Sequence, residues 1–186
     1  MTPLGAVGGL WTIFAAYWIL ASFGRNPAQR RENPVARLIH LLFMAATFVL
    51  LYSRDPTFGW LNNRFAPATP WLVALGLALT ATGIAFAIWA RWHLGKEWSA
   101  DVTIRQGHRL IRTGPYARIR HPIYTGILVG MLGTALVIGE FRGLAAVALT
   151  LFGFWRKARA EESFLRQEFG ADFEEHTRRT GFFLPG

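Results

Sequence analysis

Residues 122–155 read PIYTGILVGMLGTALVIGEFRGLAAVALTLFGFW. This stretch holds two apolar runs, 122–139 and 143–155, with only residues 140–142 between them. So short a connection allows nothing longer than a tight turn, and the runs are therefore expected to form an antiparallel helical hairpin. Near-continuous apolar runs of this kind are typical of helices that cross a membrane.

Further apolar runs precede the hairpin at about 3–23, 37–52 and 70–92. At 1.5 Å per residue the first and third are long enough to cross roughly 30 Å of hydrocarbon, while 37–52 must tilt or thin the bilayer. The run at 70–92 is rich in Ala, Gly and Thr, which permits close helix packing. With 52% hydrophobic and 17% charged residues, we predict an all-α polytopic integral membrane protein of about five transmembrane helices.

The positions of Lys and Arg predict the orientation. The connecting segments and the C-terminal tail, counted with the cations at the ends of the apolar runs, hold, in order, 4, 2, 7, 1 and 6 of these residues: Arg25, Arg30, Arg31 and Arg37; Arg54 and Arg64; seven from Arg91 to Arg120; Arg142; and six from Arg156 onward. Because Lys and Arg are retained on the cytoplasmic side, this alternation predicts an extracytoplasmic N-terminus and a cytoplasmic C-terminus. We expect the protein to lie in a cell (inner) membrane.

The chain is expected to be one membrane domain, 1–186, in which 1–69 holds the first two spans. The part at 70–186 is expected to carry the functional site, with a loop at about 95–121. A cytoplasmic amphipathic helix is predicted at about 156–177, interrupted at Gly170, because four apolar side chains alternate there with charged ones. These are Phe164, Leu165, Phe169 and Phe173.

Composition excludes several kinds of site. The chain has no cysteine, so it has no disulfide, thiolate nucleophile or Cys-ligated metal. Its net charge of +9 is spread between the apolar runs, and we therefore predict no nucleic-acid partner. The five histidines are scattered without metal-ligand spacing, and no metal site is expected. His40, near the start of the second run, is expected to be a satisfied interfacial histidine.

One candidate segment is GHRLIRTGPYARIRHPIY at 107–124. Gly114 and Pro115 signal a turn, and Pro122 suits the first turn of a helix whose N-terminus is then at His121. A helix N-terminus offers free N–H donors and a partial positive charge, which suit a carboxylate or other oxygens. Tyr116 and Tyr124 are able to stack on a purine. The alternative is an interfacial turn whose arginines only reflect the orientation of the chain.

The second candidate segment is RKARAEE at 156–162. On a helix, Arg159 and Glu162 share a face at i,i+3, as do Lys157 and Glu161 at i,i+4. Cations and carboxylates therefore alternate at the boundary between water and lipid. The alternative is a collar of snorkelling cations with ion pairs on the helix surface.

Together the two segments resemble a known family. G-P-Y at 114–116, R-H-P-I-Y at 120–124, E-E at 161–162 and F-G at 169–170 are similar to the signature of isoprenylcysteine carboxyl methyltransferases and their phospholipid methyltransferase relatives. The resemblance covers about 89–185 and implies S-adenosylmethionine as methyl donor and a lipophilic acceptor taken from the bilayer. The cofactor-binding residues that it implies are His108, Arg109, Leu110, Ile111, Tyr116, His121, Pro122, Ile123, Tyr124 and Glu162.

In that family a basic residue shortly before the Glu pair holds the substrate. Arg156, Lys157 and Arg159 all stand there, and we favour Arg156 and Arg159, with Glu161 as the third catalytic candidate. A carboxylate acceptor needs only to be oriented, whereas an amine must first lose a proton, which a Glu can take. We predict carboxylate O-methylation. The alternatives are phospholipid N-methylation, an NADPH-dependent membrane reductase and a non-enzymatic membrane subunit.

Overall fold

The structure is a computed structural model that describes residues 2–21, 34–53, 55–95 and 110–186. These residues form helices and no β-strand. The α-helices are α1 Pro3–Leu20, α2 Pro34–Tyr52, α3 Pro70–Leu94, α4 Pro122–Ile138, α5 Phe141–Phe169 and α6 Ala171–Arg178. Short 3-10 helices occupy Pro56–Asn62 and Gly114–Ala117. The all-α prediction is confirmed, and the predicted apolar runs lie on α1 to α5.

Proline and glycine set the ends of several helices. Pro3, Pro70 and Pro122 stand in the first turns of α1, α3 and α4, where the missing N–H leaves no helical hydrogen bond unmade. Gly139 ends α4 with a φ of 66°, a left-handed conformation that side chains disfavour. Because α5 begins at Phe141, the predicted tight hairpin is confirmed.

Helices α3 and α4 pack with almost no side chain between them. A Cβ atom on Gly83 would lie 2.4 Å from the backbone nitrogen of Gly130 and 2.5 Å from the carbonyl oxygen of Gly126. Across the same contact the Thr80 hydroxyl donates to the carbonyl of Gly130 at 3.3 Å. Small residues let helices approach closely in a medium where lipid competes for larger apolar side chains. The predicted close packing of the third run is confirmed.

A buried ion pair lies at the turn between α4 and α5. Arg142 Nε donates to Glu140 Oε2 at 2.6 Å, and the two side chains are 6% and 7% exposed. Arg142 Nη1 also donates to the carbonyls of Leu50 and Leu51, at 2.8 and 2.7 Å. These carbonyls belong to the last turn of α2, which lacks helical donors of its own. Arg142, counted above among the loop cations, therefore joins α2 to the hairpin.

Among the described residues, α1 and α3 are long and apolar enough to cross a membrane. Helix α2 adds a third crossing if it forms one bent span with the 3-10 helix Pro56–Asn62. Helix α4 is apolar and has 17 residues. Helix α5 begins apolar and continues as a charged helix to Phe169, where the predicted interruption at Gly170 separates it from α6.

The contact between α3 and α4 predicts that Gly83→Ala destabilises the protein. The added methyl group meets backbone atoms that cannot move aside, and overpacking of this kind costs about 1–3 kcal/mol. The matched control is Gly8→Ala on α1, where an added Cβ meets nothing within 4 Å. Thermal unfolding in detergent should show a lower midpoint for Gly83→Ala alone. Equal midpoints for the two variants would contradict the packing described.

Candidate functional site

The site is built around the start of α4. The 3-10 helix Gly114–Ala117 leads into this point, and His121 is the residue that precedes the first turn. Tyr116 is buried against Ala90 and Ile123, and burial raises the pKa of its hydroxyl. Its ring stacks beside that of His93, with 6.5 Å between centroids. Tyr116 therefore packs the base of the loop against α3.

Glu162 on α5 is the central acceptor of the site. Its side chain is 1% exposed, and its carboxylate accepts hydrogen bonds from Arg120 Nε at 2.7 Å and Arg166 Nη2 at 3.2 Å. His121 Nε2 lies 3.3 Å from the same carboxylate. Burial acts to raise the pKa of Glu162, but the hydrogen bonds and charges of His121 and Arg120 outweigh it and bring the pKa to about 2. This carboxylate is therefore ionised at neutral pH.

Glu161 is the second carboxylate of the pair. It accepts a hydrogen bond from the Tyr124 hydroxyl at 2.5 Å, and His121 Nδ1 lies 3.5 Å from its other oxygen. Burial acts to raise the pKa of Glu161, but the His121 hydrogen bond, the Lys157 charge and the Tyr124 hydroxyl together lower it. Glu161 is a weak base in consequence.

His121 lies between the two carboxylates. Burial acts to lower the pKa of its imidazole, yet the hydrogen bonds and charges of Glu161 and Glu162 outweigh burial and raise the pKa above 6.5. A neutral imidazole donates from one nitrogen only, whereas an imidazolium donates from both. The geometry therefore favours a protonated His121 that holds both glutamates in place.

Aromatic rings continue the site toward α5 and the C-terminal segment. The Tyr124 ring stacks on that of Phe154 at 4.5 Å and lies parallel to the His121 ring at 5.7 Å. Phe182 and Phe183 also pack against His121, at 4.9 and 6.1 Å. One wall of the site is thus aromatic and the other carries carboxylates.

The segment after α6 returns across the start of α4. The backbone N–H groups of Arg120 and His121 donate to the carbonyls of Gly181 and Phe182, at 2.9 and 3.2 Å. Thr125 Oγ1 donates to the Phe183 carbonyl at 2.7 Å. The Arg120 side chain, besides its bond to Glu162, donates to the carbonyl of Thr180. The C-terminal segment is therefore part of the site.

The structure brings His121, Tyr124, Glu161 and Glu162 together. Pro122 and Ile123 are buried in the first turn of α4, and Leu110 and Ile111 are half-buried in the loop before it. His108 and Arg109 lie outside the described residues. Which of these residues bind a cofactor stays a prediction.

The basic candidates on α5 point in different directions. Arg156 and Lys157 are half-buried, whereas Arg159 is exposed. The i,i+3 spacing of Arg159 and Glu162 suggested a surface pair, but Glu162 instead pairs with Arg120 and Arg166, because it faces inward while Arg159 faces outward.

Three parts of this arrangement were not predicted from the sequence. Arg166 follows Glu162 at i,i+4, and this helical spacing was a signal for their pair. Arg120 stands directly before His121 in the quoted motif, but Glu162 lies on another element, so no spacing rule indicated their pair. The contribution of 180–183 has no local signal, because it depends on how the chain returns to α4.

Several known proteins are similar in sequence to this chain. The family model described as Phospholipid methyltransferase matches residues 71–172. The probable protein-S-isoprenylcysteine O-methyltransferase of Oryza sativa subsp. indica is 32% identical over 119 residues, which cover 62% of this chain and 62% of that protein. The cobalt-zinc-cadmium resistance protein CzcN of Cupriavidus metallidurans is 32% identical over 117 residues, covering 62% and 51%. The chain thus spans less than two thirds of the length of these relatives.

A solved structure shares the fold. It is that of the eukaryotic intramembrane Ras methyltransferase ICMT (isoprenylcysteine carboxyl methyltransferase), with a TM-score of 0.66 at 20% identity. The match covers 100% of this chain and 68% of that one. This chain therefore shares the helical fold of that protein.

The buried ion pairs predict that Glu162→Ala strongly destabilises the protein. Removal of this carboxylate leaves Arg120, which is 14% exposed, without its counter-charge, and breaking a buried pair costs about 3–5 kcal/mol. The control is Glu175→Ala, which breaks an i,i+4 pair with Arg179 between side chains 49% and 75% exposed and should cost less than about 1 kcal/mol. Thermal unfolding in detergent compares them. Similar losses in both variants would refute the central role of Glu162.

Proposed function

Because this chain belongs to the phospholipid methyltransferase family, we propose that it is a membrane enzyme that transfers a methyl group from S-adenosylmethionine to a lipophilic acceptor. The family match confirms the resemblance identified from the motifs at 114–116, 120–124 and 161–162. The acceptor group we propose is the carboxylate of a prenylated or lipid-like molecule. The name of the rice relative describes the same class of reaction, O-methylation of an isoprenylcysteine.

The proposal is carried by the ionised Glu161 beside the aromatic wall of Tyr124 and Phe183. S-adenosylmethionine combines a sulfonium cation with an adenine ring and an amino-acid group. A carboxylate and aromatic faces suit the cation and the ring. The residues present therefore fit this cofactor. When bound, it supplies a methyl group already activated for in-line displacement.

The lowered pKa of Glu161 bears on the choice of acceptor. An amine acceptor must lose its proton, and a carboxylate with a lowered pKa is a poor general base near pH 7. A carboxylate acceptor is already ionised and needs only to be oriented by a cation. Arg156 and Arg159 remain our candidates for that role, and Lys157 joins them because its charge acts on Glu161. Phospholipid N-methylation, the reaction class in the family's name, is the second candidate.

The proposed reaction joins a water-soluble donor to a bilayer acceptor, which requires a site at the membrane surface. We propose that α1 to α5 all cross the membrane, with an extracytoplasmic N-terminus and the site on the cytoplasmic face. The alternation of 4, 2, 7, 1 and 6 basic residues supports this topology. A cysteine added after Gly186 should resist a membrane-impermeant thiol reagent in intact cells and react after permeabilisation. Labelling of intact cells would overturn the orientation.

The proposed reaction has a direct test. The detergent-purified protein should bind S-adenosylhomocysteine in calorimetry, should not bind NADP, and should move a radiolabelled methyl group from the donor to a prenylcysteine analogue. Between about pH 6 and 9 the acceptor carboxylate itself stays ionised, so the transfer rate should not rise with pH and should fall only where His121, whose pKa is raised, loses its proton. Replacing by Lys whichever of Arg156 and Arg159 orients the acceptor should lower the rate of methyl transfer with little change in donor affinity, since an ammonium lacks the planar fork of a guanidinium.

Phosphatidylethanolamine is the comparison substrate in the same assay. Methyl transfer that occurs on this lipid alone, rises with pH and is unaffected by Arg156→Lys and Arg159→Lys would show that the acceptor is an amine. Binding of NADP without S-adenosylhomocysteine would indicate a reductase, and binding of neither by the folded protein would contradict the methyltransferase proposal.

A further inference from the structure

His40 on α2 has an unsatisfied buried nitrogen. Its Nδ1 atom is shielded from solvent and has no hydrogen-bond partner among the described residues. The expectation of a satisfied interfacial histidine is therefore wrong. A buried polar atom without a hydrogen-bond partner destabilises the folded protein. A bound ligand that forms the missing hydrogen bond removes this destabilisation.

A row of rings connects His40 with the candidate site. The His40 ring stacks on Phe154 with 6.3 Å between centroids and 29° between planes. Phe154 also stacks with Tyr124, at 4.5 Å and 20°, and the Tyr124 hydroxyl donates to Glu161. His40 is thus one ring away from a residue of the site, although it lies on a helix to which the motif resemblance does not extend.

The charges around His40 come from α5. Lys157, Glu161 and Arg156 all act electrostatically on its imidazole. Lys157 also acts on Glu161. The end of α2 that carries His40 therefore faces the part of α5 where the substrate-holding cation is expected, while Arg159 is exposed to solvent.

We propose that His40 binds the acceptor. In this arrangement, which rests on the proposed methyl transfer, the Nδ1–H group of His40 donates a hydrogen bond to the carboxylate of the lipophilic acceptor between α2 and α5. Lys157, whose charge acts on both His40 and Glu161, lies on the same side of α5. The imidazole moves no proton in the transfer, and its contribution is to hold the acceptor in place. His40 thus extends the site to the N-terminal part of the chain.

The test compares three substitutions. His40→Phe keeps the ring and its stack on Phe154 but removes the donor, whereas the side-chain amide of His40→Asn places a donor close to the position of Nδ1. We expect His40→Phe to raise the KM for a prenylcysteine analogue, at a fixed mole fraction in detergent, by roughly tenfold or more. Its kcat and its affinity for S-adenosylhomocysteine should change little, and His40→Asn should recover most of the loss. His40→Leu serves if the Phe variant does not fold.

The matched control is Thr47→Val on the same helix. Thr47 faces α5 through a 3.3 Å contact with the hydroxyl of Thr150, so this change perturbs helix packing at a distance from the ring row and should leave the KM for the acceptor unchanged. A wild-type KM in His40→Phe, or an equal rise in Thr47→Val, would overturn the role of His40 and leave the proposed function intact. A folded wild-type protein that transfers no methyl group would overturn the proposed function itself.

Discussion

Glu162 places a negative charge where the protein excludes water, since its side chain is 1% exposed. A buried charge is stable only when cations and donors replace its hydration. Arg120 and His121 supply them from the start of α4, and Arg166 supplies another from the next turn of α5. Arg120 also bonds to the carbonyl of Thr180 in the returning segment. Satisfying one carboxylate thus requires the loop, α5 and the C-terminal segment to adopt a single arrangement.

This arrangement requires α4 to have a defined position and angle relative to α3. The glycines of α3 and α4 provide that, because Gly83 and Gly126 leave no room for an intervening side chain. At the other end of the hairpin, Arg142 bonds to the last carbonyls of α2. Close contact between glycines fixes how the helices pack in the middle of the bundle. Ion pairs and hydrogen bonds of arginine side chains fix the packing at both ends. The pattern suits a medium in which apolar contact alone gives little preference for one neighbour over another.

The proposed chemistry follows from the groups that form hydrogen bonds and ion pairs with the two carboxylates. His121 and its neighbours lower the pKa of both glutamates, so the pair acts as hydrogen-bond acceptors more than as bases. Glu162 is balanced by Arg120 and Arg166, whereas the Glu161 carboxylate suits a cationic donor and the cations of α5 suit an anionic acceptor. Both demands meet at the end of the bundle that we propose to be cytoplasmic, where a soluble donor and an acceptor from the bilayer would approach from different sides.

The sequence alone determined the helical class, the hairpin and the candidate loop, because apolar runs, prolines and glycines act locally. The spacing of its motifs also identified the candidate site residues His121, Tyr124, Glu161 and Glu162. Only the tertiary structure showed that Glu162 pairs with Arg120, that residues 180–183 close over α4, and that the His40 Nδ1 atom is buried with no partner in the described part of the chain. These features join segments separated by tens of residues. No local rule specifies them, since hydrogen-bond partners between distant segments depend on how the helices pack.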